Sequence, residues 1–150
     1  MLAWIRRTFV SVIAILAVSC GGTAMAPSPA VNLSGTWSGV IGQGSGGGRA
    51  LRVTWTATQD GTTASGPASV LTSPPVTDVI FSGVLSGSIA GSQVSFTLSA
   101  QPLPGSDCLL SGTGSAAVAS STLAGSLDVH FTSCGALEPP SNDQIVLAKQ

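Results

Sequence analysis

The chain has 150 residues, of which only 7% are charged, with 19 Gly, five Lys and Arg together, one His and no Tyr. That length suits one domain. So few cations exclude a phosphate-neutralising nucleic-acid binder. So few Glu, Lys and Arg leave a helical bundle without its usual exposed faces. One His is thin material for a metal centre, and no metal or cofactor is expected.

Taken in chain order, residues 1–19 read as an export signal, 20–31 as a tether and 32–150 as a single folded domain. Arg6 and Arg7 form a positive n-region, and Phe9 to Val18 an apolar run of ten residues. As a helix that run rises about 15 Å, half of a bilayer core of about 30 Å, so it suits a signal rather than a membrane span. Removing it leaves Arg49, Arg52 and Lys149 against six acids, a mildly acidic domain with no pull on nucleic acid or anionic headgroups.

The run ends in Leu16-Ala17-Val18-Ser19-Cys20, followed by Gly21-Gly22. This resembles the lipobox of bacterial lipoproteins, except that Ala17 stands where Leu is usual. The resemblance implies cleavage before Cys20, lipidation of Cys20, and a membrane partner held through that lipid. Gly21 in the second mature position resembles lipoproteins sorted to the outer membrane, periplasmic or surface face undetermined. Several acyl chains anchor a protein stably where one does so only marginally. Gly21 to Ala30, rich in Gly, Pro and Ser, reads as the leash. The alternative is plain secretion with cleavage after Ala24-Met25-Ala26.

From residue 33 onward, apolar and Ser/Thr positions alternate with period two, the pattern of antiparallel strands with one face in a core. Leu33, Trp37 and Ile41 alternate with Ser34, Thr36 and Ser38; Leu51, Val53 and Trp55 with Arg52, Thr54 and Thr56. Eight strands are predicted, at 33–41, 50–58, 62–71, 78–88, 92–100, 108–119, 123–134 and 143–149, divided by Gly, Pro, Asn and Asp turn signals. Gly42-Gln43-Gly44-Ser45-Gly46-Gly47 has dinucleotide-loop spacing, but a strand follows where that chemistry needs a helix, so it reads as a hairpin loop. Pro67 predicts a bulge or an unpaired stretch in the third strand. Short links predict an all-β fold, an eight-stranded antiparallel up-and-down meander barrel, with a two-sheet β-sandwich as the alternative.

With Cys20 assigned to lipid, Cys108 and Cys134 remain. A three-residue loop at Ser120–Thr122 sets residue 119 opposite 123 and Cys108 opposite Cys134, a disulfide pair in an oxidising compartment. Two free thiols or a metal pair are the alternatives. In that register Asp128 and His130, two residues apart on one polar face, stand opposite Gly114 and Gly112. It also leaves Cys134 on the polar face, which a bulge would reconcile.

Asn32-Leu33-Ser34-Gly35-Thr36-Trp37 resembles the Gly-x-Trp opening of the calycins, the lipocalin and avidin-like barrels. The resemblance implies a barrel floor closed by Trp37 under a basic side chain of the last strand, for which Lys149 is the candidate. It carries no avidin-type ligand shell, because the chain has no Tyr.

Trp37, Trp55, Phe81, Phe96 and Phe131 all fall on inward faces. They are either core or the lining of a pocket for an apolar molecule, and core is the stronger reading. No catalytic residue is assigned. The expected function is that of an exported, lipid-anchored envelope protein with a non-enzymatic structural or interaction domain, its protein partner unnamed. Lipocalin-like binding of a small hydrophobic ligand is the alternative, and hydrolysis through His130 ranks far behind.

Overall fold

The computed structural model describes residues 31–42, 50–72, 79–135 and 144–150. Cys20, the signal and nearly all of the tether lie outside the described residues, as does most of the Gly-rich loop.

Eight antiparallel strands form one closed barrel in chain order: β1 (Gly35–Ile41), β2 (Leu51–Asp60), β3 (Thr63–Thr72), β4 (Ile80–Ala90), β5 (Gln93–Gln101), β6 (Leu109–Ala119), β7 (Thr122–Thr132) and β8 (Gln144–Lys149). Each lies within two residues of its sequence-based bounds. The first strand pairs with the last, Trp37 against Lys149 through Ile41 against Ile145, so the sheet closes on itself and the sandwich alternative falls. Carried through all eight registers, a residue returns ten positions further along β1. Strands staggered in this way tilt by about 40° and enclose a space that side chains can fill.

The alternation decides the inside and the outside. Along β2 the buried residues are Leu51, Val53, Trp55 and Ala57, and along β5 they are Val94, Phe96, Leu98 and Ala100. Between them Thr54, Thr56, Ser95, Thr97 and Ser99 face solvent. Thr suits a strand and carries no charge, so hydroxyls take the place of the missing Lys and Glu. Apolar inside and hydroxyl outside is the reverse of a barrel that crosses a membrane.

Pro67 lies in a stretch unpaired on its β2 side alone, for on the other side it stands opposite Val84 in an unbroken β3–β4 ladder. The β2–β3 ladder pairs Trp55 with Ala68 and Thr58 with Ser65, and no pair falls between. Proline has no N–H to donate there, and because the register is the same on both sides of the gap, there is no bulge.

The β6–β7 register differs from the expected one. Ala119 pairs with Thr122, so the turn is Ser120-Ser121 rather than three residues. Ser120 takes the left-handed φ of 55° that a two-residue hairpin turn demands. Every pair slips by one: His130 stands opposite Ser111 and Asp128 opposite Thr113, while Gly112 and Gly114 face Val129 and Leu127. Cys108 and Cys134 nonetheless lie at disulfide-bonding distance, their Cα atoms 4.5 Å apart. The ladder ends at Leu109–Thr132, and Ser133, with φ 56°, is the extra residue that brings Cys134 back beside Cys108. In the oxidised protein, reductant should raise the intact mass by two hydrogens. Replacing both cysteines by serine should lower stability by about 3 kcal/mol in urea titrations.

Candidate functional site

The inward aromatics divide into a floor and a wall. At the floor, residues 31–34 cross the mouth of the barrel before β1 begins. Their backbone is clasped by Gln59 at the end of β2: Leu33 N–H donates to Gln59 Oε1 at 2.6 Å, and Gln59 Nε2 donates to the Val31 carbonyl at 3.2 Å and the Gly61 carbonyl at 3.1 Å. The Gln59 backbone N–H in turn donates to Ser34 Oγ at 3.1 Å. Sequence reasoning missed Gln59, because Gln-Asp-Gly carries only a turn signal there.

Trp37 sits above this clasp, 0% exposed, and its Nε1–H donates to the Leu33 carbonyl at 2.7 Å. Lys149, from β8, lies across the ring with Nζ 5.7 Å from its centroid, and donates to the Asn32 carbonyl at 3.4 Å. This is the arrangement the calycin resemblance implies. A partly exposed ammonium over an indole contributes about 1 kcal/mol. Lys149→Met keeps the aliphatic stem and removes the charge, so it should cost about that amount in a urea titration.

In the wall, Trp55 meets Phe96 edge to face at 6.0 Å, and Phe81 meets Phe131 at 5.5 Å with the rings tilted by 52°. Trp55 and Phe81 are 0% exposed and Phe96 is buried, while Phe131 is half-buried near the cysteine pair. A void large enough for water would leave surface on the side chains lining it. Trp37, Trp55, Phe81, Leu110, Leu123 and Leu127 have none. Trp37, Trp55 and Phe81 are therefore packed core, with no water-sized space against them, while Phe96 borders a cleft in the wall and half-buried Phe131 packs against the core. Trp55 Nε1 finds no acceptor among the described residues.

Two clefts lie on the outer wall. One of about 430 Å³ runs over Ser65, Ser86, Ser88 and Thr97 and reaches Phe96 beside Gly87, and Ser65 and Ser86 share a 3.0 Å hydrogen bond there. Another, of about 380 Å³, lies beside Pro102, Leu103 and Pro104. Neither is lined by a charged residue.

His130 Nε2 and Asp128 Oδ2 are 3.2 Å apart, with side chains 64% and 74% exposed. Ser111 stands opposite His130 in the ladder, so the structure does bring serine, histidine and aspartate onto one outer face. They stand in open solvent, where water competes with any substrate and screens any charge the group could stabilise. Among the described residues no group of three or more His, Cys, Asp and Glu converges to hold a metal ion.

No family model matches the chain, and no curated protein or solved structure is found to be similar to it.

Proposed function

We propose that this is a lipid-anchored envelope protein whose barrel serves as a non-enzymatic structural or interaction domain. The observation that carries the reading is the filled interior. Trp37, Trp55 and Phe81 are 0% exposed, so among the described residues no water-sized space lies against these inward aromatics, where a ligand-holding barrel would have its cavity. The hydroxyl exterior agrees with a barrel held beside a membrane rather than through it. Export and anchoring rest on Arg6, Arg7, the Phe9–Val18 run and the lipobox-like segment ending in Cys20. Expressed as the full chain in a bacterial host fed an alkyne-bearing fatty acid, the protein should take up label and sediment with membranes. Cys20→Ser should lose both properties. Label that persists in that variant would end the anchoring reading.

A second reading, lipocalin-like binding of a small apolar ligand, is favoured by the Gly35-x-Trp37 floor with Lys149 above it. It requires the interior to open. Titration with a fatty acid distinguishes the two: saturable quenching of tryptophan emission supports the binder, and unchanged emission supports the filled barrel.

A further inference from the structure

The two poles of the barrel are built differently. At one pole β2–β3, β4–β5 and β6–β7 are joined by the two-residue turns Gly61-Thr62, Gly91-Ser92 and Ser120-Ser121. The chain also enters β1 there, through Val31–Ser34, and leaves β8 there, where the Gln150 N–H donates to the Thr36 carbonyl at 2.9 Å. At the other pole lie all four longer connections: β1–β2, β3–β4, β5–β6 and β7–β8. The cysteine pair ties the last two of these together at their strand ends. Leu103, in the β5–β6 connection, is 70% exposed, the most exposed large apolar side chain among the described residues.

We propose that the barrel stands with its tight-turn pole toward the membrane and presents the opposite pole, with Leu103 on its rim, away from the lipid. The proposal rests on anchoring at Cys20. Strands of nine to eleven residues, tilted by about 40°, separate the poles by about 25 Å. Cys20 lies eleven residues before Val31. A flexible chain of that length has a root-mean-square reach of about 18 Å and a limit of about 38 Å. Turning the far pole to the lipid would draw the segment over at least the roughly 25 Å of the barrel wall, beyond its root-mean-square reach and at an entropic cost. Tight-turn contact leaves it near its relaxed length. Among the described residues, the large apolar side chains exposed at that pole are Leu103 and Ile80, at the start of β4, and two such side chains offer too little apolar area to compete with several acyl chains for the orientation.

The test uses the full lipidated chain in phosphatidylcholine vesicles that carry a spin-labelled headgroup. Fluorophores are attached at Ser92→Cys or Thr62→Cys on the tight-turn pole, and at Leu103→Cys or Asp107→Cys on the other. These are exposed turn and loop positions, and two sites per pole guard against a variant that misfolds. Quenching at the tight-turn sites should exceed that at the loop sites at least three-fold. Equal or reversed quenching on protein that floats with the vesicles overturns the orientation alone. Protein that does not float removes the anchor reading, and the orientation with it.

Discussion

Trp37→Ala should cost about 4 kcal/mol, a large share of the roughly 5–15 kcal/mol that keeps a domain of this size folded. The loss has three parts: the buried area of the indole, the hydrogen bond to the Leu33 carbonyl, and the ring over which Lys149 lies. A milder pair of substitutions isolates the hydrogen bond. Trp37→Phe and Trp55→Phe remove similar volume from fully buried positions. At Trp37 the change also leaves the Leu33 carbonyl without its donor, a penalty of about 1–3 kcal/mol. At Trp55 it removes an N–H that has no acceptor among the described residues. Trp55→Phe should therefore be the milder variant by about that penalty. Urea titrations followed by circular dichroism measure both, and equal midpoints would show that the floor bond contributes nothing.

The second large effect falls on glycines inside the wall. A Cβ at Gly83 would run into the Ser99 carbonyl oxygen, and at Gly114 into that of Ser126. The obstacle in each case is backbone, which cannot rotate aside as a side chain can. Gly83 and Gly114 pair directly with Ala100 and Leu127, so relief means forcing adjacent strands apart and losing ladder bonds. Gly83→Ala and Gly114→Ala should each cost about 3 kcal/mol or more. Gly91, at a turn, has open space around its missing Cβ but a φ of +63°. Gly91→Ala should cost only about 1 kcal/mol, the strain of a left-handed alanine. A matched set of three thermal melts, with Gly91→Ala unfolding last among the variants, would establish that close strand approach outweighs turn conformation here.

The alternation made the fold legible. With Ser and Thr on one face and large apolar residues on the other, Leu51, Val53 and Trp55 had only one way to face, and the strand bounds followed. The β6–β7 register was misplaced for a physical reason. Ser120-Ser121-Thr122 contains no Gly or Asn to mark the left-handed residue, so a two-residue turn looked like three. The alternation itself held the correction. Cross-strand partners share a face, so inward Leu110 must meet Phe131 rather than Thr132, as it does. The cysteine pair pulled the other way because Ser133 adds a residue after the ladder ends, and a serine carries no mark of that role.

At the candidate site, the floor of Trp37 and Lys149 was visible through its Gly-x-Trp spacing. The clasp by Gln59 was not, since it depends on a side chain reaching backed-up backbone from 28 positions earlier, Val31. Whether the aromatics made a pocket or a core was also hidden. Periodicity assigns a face, while packing density depends on how side chains from eight strands meet. Gly112 and Gly114 show the point. They could have opened a void, but Leu127 lies against both of them.

β8 has six residues, and it forms a seam on each side, with β1 and with β7. Both seams depend on the same short segment. If Ile145, Leu147 and their neighbours detach, two strands lose their partners at once, each showing a row of free N–H and C=O groups to neighbouring molecules. A chain with so few charges has little electrostatic repulsion to keep such copies apart. Seating of those six residues is thus the step that separates a closed barrel from one whose open edges can pair with another copy.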